Sequence, residues 1–447
     1  MGNLFGTDGV RGVANRELSA ELAFKLGRAG ALVLSEGNRR PRIVLGRDTR
    51  ISGDMLEAAL VAGICSMGGD VLKVGVVPTP GVAVLTRLLG ADAGVVISAS
   101  HNPMEDNGIK FFGGNGFKLP DAVEEKIEQA IATSAWDATP APVGKEVGRV
   151  VELPDAPLRY IDYLEEAIPS NLAGLRIVVD CANGASYRLA PNLLGDLGAE
   201  VVVINASPDG VNINSACGST HPAQLQQAVV HHGADLGLAY DGDADRVIAV
   251  DERGNLVDGD AIMVICGLER KRQKRLLNDR VVVTVMSNLG LHQAFQKEGV
   301  EVIQTKVGDR YVLEEMLKSG AALGGEQSGH VIFLDNQTTG DGLLTSLELL
   351  QVISATGADL SELAKQMQRL PQLMVNVRVR DKNGLDHCQP LKEAVQAAQE
   401  QLAGRGRILV RPSGTEPVLR LMAEGPDEGE LKSILGGLKE VVERYLT

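Results

Sequence analysis

The stretch RIVVDCANG, residues 176–184, closed by DLGAEVVVIN at 196–205, sets a β-branched strand and a polar turn ahead of a glycine bend and a second β-branched strand, with a helix-length segment between. Strand, helix and strand joined by short turns favour parallel pairing through a helical crossover, because a tight hairpin cannot join parallel strands. The same plan recurs in RIVLGRDTR at 42–50 with SMGGDVLKVG at 66–75, and in RVVVTVMSN at 280–288 with KEGVEVIQTK at 297–306. Three similar α/β domains with mixed sheets are therefore expected. The Pro/Ala-rich stretch from Thr133 to Pro157 reads as a linker, since it cannot easily continue a helix or a central strand. VIAVDERGNLVD at 247–258 reads as a hairpin turning at Arg253-Gly254-Asn255. After Leu370-Pro371 the alternation VNVRVR opens a smaller α+β domain that ends in a helix near Glu428 to Tyr445. The expected divisions are residues 1–154, 155–258, 259–370 and 371–447.

Composition narrows the function. The chain has 447 residues, 44 Lys plus Arg against 58 Asp plus Glu, and a net charge of −14. That balance argues against broad neutralisation of nucleic acid or anionic lipid, so any bound anion needs a local site. Five scattered cysteines without a C-x-x-C pair point to reduced thiols rather than a disulfide framework or zinc cluster. No basic start precedes an apolar run, no 18-residue apolar stretch occurs, and Gly6 stands where a myristoylation signal needs Ser or Thr. A cytoplasmic protein is expected. The run Arg270-Lys271-Arg272-Gln273-Lys274-Arg275 reads as the exposed end of a helix.

Four constellations carry chemistry. Ser100 and His101 follow the apolar strand VVIS, past the carboxyl end where ligands bind in α/β sheets. No G-x-S-x-G elbow is present, so a Ser-His-Asp hydrolase fits poorly. Asp241, Asp243 and Asp245 alternate in the loop DGDADR; carboxylates so spaced repel unless a hard cation sits among them, and oxygen ligands suit Mg²⁺ or Ca²⁺. A calcium hand is ruled out by Arg246 at the sixth position, which needs glycine. GGEQSGH at 324–330 offers Glu326, Ser328 and His330 to sugar hydroxyls or an amine. RPSGTEP at 411–417 offers Arg411 as a bidentate fork, with Ser413, Gly414 and Thr415 as an anion cradle and Arg420 close by. Lys110, ten residues past Ser100, can approach the same crevice.

These motifs, with FGTDGVRG at 5–12 and SASHNPMEDNGIK at 98–110, run in one order along the whole chain, which resembles the α-D-phosphohexomutases. TKVGDRYV at 305–312 and Gln327 resemble the glucosamine-phosphate branch. The resemblance implies an isomerase with its site in a central cleft, interconverting glucosamine 6-phosphate and glucosamine 1-phosphate through phospho-Ser100 and a 1,6-bisphosphate. The product would feed amino-sugar nucleotide and cell-wall synthesis. It implies one Mg²⁺ on Ser100, Asp241, Asp243 and Asp245, a hexose 1,6-bisphosphate activator, and sugar contacts at Glu326 and Ser328. The ester phosphate would lie on Arg411, Ser413, Gly414, Thr415 and Arg420. Lys110, His101, His330, Arg246 and Arg11 would surround the reacting phosphoryl group, with Lys110 and His330 favoured for proton transfer. A homodimer, and first phosphorylation by a protein kinase or by autophosphorylation, are compatible with it; no nucleic-acid or membrane partner is expected. The competing readings are phosphomannomutase/phosphoglucomutase, a Mg²⁺-dependent sugar phosphatase or bisphosphate synthase, and a sugar-phosphate-binding scaffold.

Overall fold

Every side chain of the strands Ala93–Ile97 and Leu236–Tyr240 is buried, as befits central strands covered on both faces by helices. The computed structural model describes residues 4–6, 8–35, 40–381, 385, 387–413 and 417–447. The chain forms two units, Met1–Met286 with Val300–Gln366, and Ser287–Gly299 with Met367–Thr447.

The first unit holds three mixed sheets. The six-stranded sheet runs Val10–Val13, Asp106–Gly113, Ala93–Ile97, Arg42–Arg47, Asp70–Val76, Val150–Glu152. The five-stranded sheet runs Leu256–Val257, Val247–Asp251, Leu236–Tyr240, Arg176–Asp180, Glu200–Ile204, and the four-stranded one Glu301–Thr305, Arg280–Thr284, Leu323–Gly325, Val331–Phe333. Each keeps the expected parallel pair, Arg42–Arg47 with Asp70–Val76, Arg176–Asp180 with Glu200–Ile204, Arg280–Thr284 with Glu301–Thr305. In each, a further parallel strand then turns back into an antiparallel neighbour. The Ser100, DGDADR and GGEQSGH loops occupy those three turns, one per sheet.

Separate apolar clusters hold the layers. Leu26, Leu45, Ile97, Phe111 and Trp136 centre the first, Val178, Leu225 and Ala239 the second, Val282, Val312 and Met316 the third. The second unit is an antiparallel sheet, Gln372–Arg378, Val418–Glu424, Arg407–Pro412. Leu391, Leu402, Leu431 and Leu435 of the helices Gln389–Leu402 and Glu428–Leu446 pack in its core.

Two expectations are corrected. The tail of the presumed linker is a strand, Val150–Glu152, parallel to Asp70–Val76 at the sheet edge, where a short strand needs neither a long run nor burial on both faces. The basic run is not uniformly exposed. Arg270 is 2% exposed, bound to Glu348 (Nη2 to Oε1 2.6 Å) and Asp335 (Nη1 to Oδ2 3.0 Å) and lying over the Phe333 ring. A guanidinium so paired can be buried where an isolated charge cannot.

Candidate active site

Ser100 follows the strand Ala93–Ile97 at φ +53°, a left-handed backbone uncommon for a side chain with Cβ. The turn directs its buried hydroxyl inward, where Oγ donates to Asp241 Oδ2 at 2.6 Å and lies 3.3 Å from His101 Nδ1. Burial, reinforced by the Arg246 charge, pushes the His101 pKa down to about 4, so this imidazole is neutral at pH 7.

Asp241, Asp243 and Asp245 converge in the turn after Leu236–Tyr240, each with a carboxylate oxygen within 4.8 Å of the others', and all are buried. Asp243 Oδ1 and Asp245 Oδ1 accept no hydrogen bond. Burial, then Asp245 and Asp243, drives the Asp241 carboxyl well above the usual carboxylate range. Buried, mutually repelling oxygens with unused lone pairs fit a hard divalent cation.

Cations ring this triad. Lys110 stands on the antiparallel strand Asp106–Gly113, with Nζ 3.0 Å from Asp243 Oδ2 and 3.0 Å from Asp8 Oδ2. Burial opposes its charge, but Asp243 and Asp8 outweigh that and raise its pKa. Arg11 pairs with Asp8. The Arg246 N–H donates to Asp241 Oδ1 at 3.3 Å, and its Nε lies 3.7 Å from Asp245 Oδ1. His330 Nδ1 is 3.5 Å from Asp245 Oδ2, while its Nε2 accepts the Gly340 N–H at 3.1 Å, which puts the ring proton of the neutral form on Nδ1. Ser100, His101, Lys110, Arg246, His330, Arg11 and the triad thus gather at one centre.

Glu326 and Ser328 lie in the turn between Leu323–Gly325 and Val331–Phe333. Glu326 Oε1 accepts the Gly308 N–H at 3.0 Å, and Ser328 is exposed. The Gly329 carbonyl accepts the Val247 N–H at 3.2 Å, joining this turn to the end of the aspartate loop. In the second unit, Arg411 and Arg420 face each other across paired strands. Burial, then the Arg420 charge, lowers the Arg411 pKa. Arg420 Nη2 donates to buried Ser413 Oγ at 3.4 Å. Opposed guanidiniums are unfavourable on a sheet unless an anion joins them. Gly414 and Thr415 lie outside the described residues.

The sequence reading missed several groups. Lys118 Nζ bonds Asp8 Oδ1 at 2.6 Å and also Asp309, which stands 3.7 Å from His330 Nε2. Thr79 Oγ1 donates to Asp243 Oδ2 at 2.6 Å. Asp48 and Arg50 end the strand segment GRDTR, where the rule that drew attention to Ser100 applies equally. Lys118 and Thr79 carry no local pattern.

A buried serine held against an acidic triad and ringed by cations suits metal-assisted phosphoryl transfer, and four family models place the chain in the phosphohexomutase class. The chain matches the family descriptions "Phosphoglucomutase/phosphomannomutase, alpha/beta/alpha domain I" over residues 2–137, domain II over 158–254, domain III over 258–370 and the C-terminal domain over 374–440. It is 64% identical over 441 residues to phosphoglucosamine mutase of Moorella thermoacetica, covering 99% of both chains. It is 60% identical over 460 residues to that of Heliobacterium modesticaldum, covering 100% of both. A phosphoglucomutase/phosphomannomutase family protein of Burkholderia thailandensis has the same fold, with TM-score 0.81 and 26% identity over 99% of this chain and 97% of that one. The chain belongs to the bacterial phosphoglucosamine mutases of the phosphoglucomutase/phosphomannomutase superfamily.

Proposed function

We propose that this isomerase interconverts glucosamine 6-phosphate and glucosamine 1-phosphate through phospho-Ser100, supplying amino-sugar nucleotide synthesis in the cytoplasm. Among the described residues no helix is long and apolar enough to cross a membrane. The observation that carries the reading is the buried Ser100 hydroxyl 2.6 Å from Asp241 in the aspartate triad; full-length likeness to phosphoglucosamine mutases supports the amino sugar.

In the first half-reaction O1 of glucosamine 6-phosphate attacks the serine phosphoryl group. The O1–P bond forms as the Oγ–P bond breaks, and the hydroxyl proton ends on Oγ. The 1,6-bisphosphate then reverses in the site, Ser100 Oγ takes the phosphoryl group from O6, and O6 recovers the proton. Asp241, Asp243 and Asp245 would hold Mg²⁺, which neutralises phosphoryl oxygens during such transfers. Arg246 and Arg11 add fixed positive charge beside them. Glu326 and Ser328 hold ring hydroxyls, and Arg411, Ser413, Gly414, Thr415 and Arg420 grip whichever phosphate is not reacting. A hexose 1,6-bisphosphate, a kinase or autophosphorylation delivers the first phosphoryl group.

The test follows glucosamine 1-phosphate by ³¹P NMR with Mg²⁺, a trace of glucose 1,6-bisphosphate and glucosamine 6-phosphate, beside Ser100→Ala. Conversion that outpaces glucose and mannose phosphates and vanishes in the variant is expected. Equal or faster conversion of those sugars moves the chain to a sibling specificity, and inorganic phosphate alone makes it a phosphatase.

A further inference from the structure

A serine held at φ +53° needs surroundings that enforce the conformation, and both peptide groups of Ser100 are gripped. Its N–H donates to Ser98 Oγ at 3.0 Å, and the Ser98 hydroxyl donates to Asp48 Oδ2 at 2.6 Å. Its carbonyl accepts from Arg50 Nη2 at 3.1 Å and from Asn214 Nδ2 at 2.9 Å. The same two donors reach the Asn102 carbonyl, at 2.6 Å and 3.1 Å. Arg50 is 0% exposed, and its charge is met by Asp48, 1% exposed, whose Oδ1 also accepts the Arg50 backbone N–H at 2.9 Å.

A buried ion pair is a poor stabiliser in its own right. Here its free edge is aimed at two carbonyls flanking His101, one of them belonging to the serine. Asn214 reaches the same carbonyls from the domain of the aspartate loop. The two loops also touch: a Cβ built on Gly242 would lie 2.6 Å from the Ser100 carbonyl and 2.8 Å from Asn214 Nδ2.

We propose that Arg50 and Asn214 are positioning residues for phosphoryl transfer at Ser100, their four hydrogen bonds to the Ser100 and Asn102 carbonyls fixing the turn that sets Oγ against Asp241. The inference rests on the reading of Ser100 as the phosphoryl carrier. In the step it serves, a P–O bond to the sugar breaks as a P–Oγ bond forms, and the Oγ proton passes to the sugar oxygen.

Asn214 is itself at φ +57°, so Asn214→Gly removes the amide without straining the backbone, and Asn214→Asp keeps shape while replacing the donor by an acceptor. Arg50→Lys keeps a charge for Asp48 but lacks the planar fork. The Mg²⁺-loaded chain is mixed with glucose 1,6-bisphosphate and quenched for intact mass, which gives the rate of Ser100 phosphorylation; kcat, KM and melting temperature are measured alongside. Asn214→Gly and Asn214→Asp are expected to lower the phosphorylation rate and kcat together by about 10- to 100-fold, as small misplacements of reacting groups do. KM should stay within about threefold and melting within about 3 °C of the parent. Normal phosphorylation rates in both Asn214 variants or in Arg50→Lys, a loss carried wholly by KM, or a loss equal to the unfolded fraction would overturn the proposal. A parent protein that phosphorylates Ser100 yet converts no glucosamine phosphate overturns the substrate reading alone, and the variants still judge the clamp. No uptake at Ser100 overturns both.

Discussion

Lys110 and His330 stand beside different members of the triad, Lys110 Nζ 3.0 Å from Asp243 Oδ2 and His330 Nδ1 3.5 Å from Asp245 Oδ2. Both carry a movable proton, and both are almost wholly buried, so bulk water is not the immediate source or sink for the proton that each half-reaction shifts. Lys110→Met and His330→Asn are near in size to the residues they replace and remove that proton. Each is expected to lower kcat by about 100-fold or more, the usual worth of a positioned acid or base, with smaller changes in KM. Near-normal turnover in both variants would remove the pair from the proton path. Lys110 also separates Asp8 from Asp243, so Lys110→Met should lose stability as well, and its kcat must be read on the folded fraction.

Among elements, one repeated device positions the candidate site: a strand that turns back into an antiparallel neighbour. Ser100, the aspartate loop and the GGEQSGH turn occupy it in three sheets, while Arg411 stands on one of two antiparallel strands in the second unit. That is why these three turns were legible in sequence. Apolar strands ending in small, acidic or glycine-rich runs are local signals, and they mark the three turns, of which the structure brings Ser100 and the triad into contact. Lys118 and Asn214 could not, since each acts on a residue at least 100 positions away and its own neighbours give no period or spacing, and Asp8 and Asp309, though inside the motifs FGTDGVRG and TKVGDRYV, meet Lys110 and Lys118 only across similar distances. Arg270 was misread for the same reason, its partners Asp335 and Glu348 being 65 and 78 residues distant. The helix Leu289–Lys297 shows long-range tying again. Its Leu289 N–H donates to Glu424 Oε1 at 2.7 Å, while Arg407 Nε donates to Oε2 at 2.6 Å, and Glu424 is fully buried. Glu424→Ala leaves both donors without an acceptor and should destabilise the second unit by about 3 kcal/mol. Faster amide exchange in Gln372–Arg378 and Val418–Glu424 is the expected reading, and unchanged protection there would refute the anchoring role.

Within the first unit the candidate active centre draws on all three sheets, so its geometry depends on their staying docked. Several buried polar ties cross these layers. Thr338 Oγ1 donates to the Gly116 carbonyl at 2.6 Å, and Gln337 Nε2 reaches the Pro80 carbonyl at 3.4 Å. Tyr160, on the helix Ala156–Ala167, donates to Asp341 with its hydroxyl 2.8 Å from both carboxylate oxygens. Asp341 also accepts Gln337 Nε2 at 3.0 Å and the N–H groups of Leu343 and Leu344 at 3.0 Å each, capping the helix Gly342–Thr356 whose first residue donates to the Ala244 carbonyl of the aspartate loop. Tyr160→Phe removes a single hydroxyl from this buried set, a change worth about 1–1.5 kcal/mol. If the three layers open as one body, amide exchange should accelerate about tenfold together in Arg42–Arg47, Arg176–Asp180 and Arg280–Thr284, one strand from each sheet. Acceleration confined to Arg280–Thr284, in the sheet whose last strand Val331–Phe333 precedes Asp341, would instead mean that the third layer detaches alone, and that the Ser100 and aspartate loops keep their geometry without it.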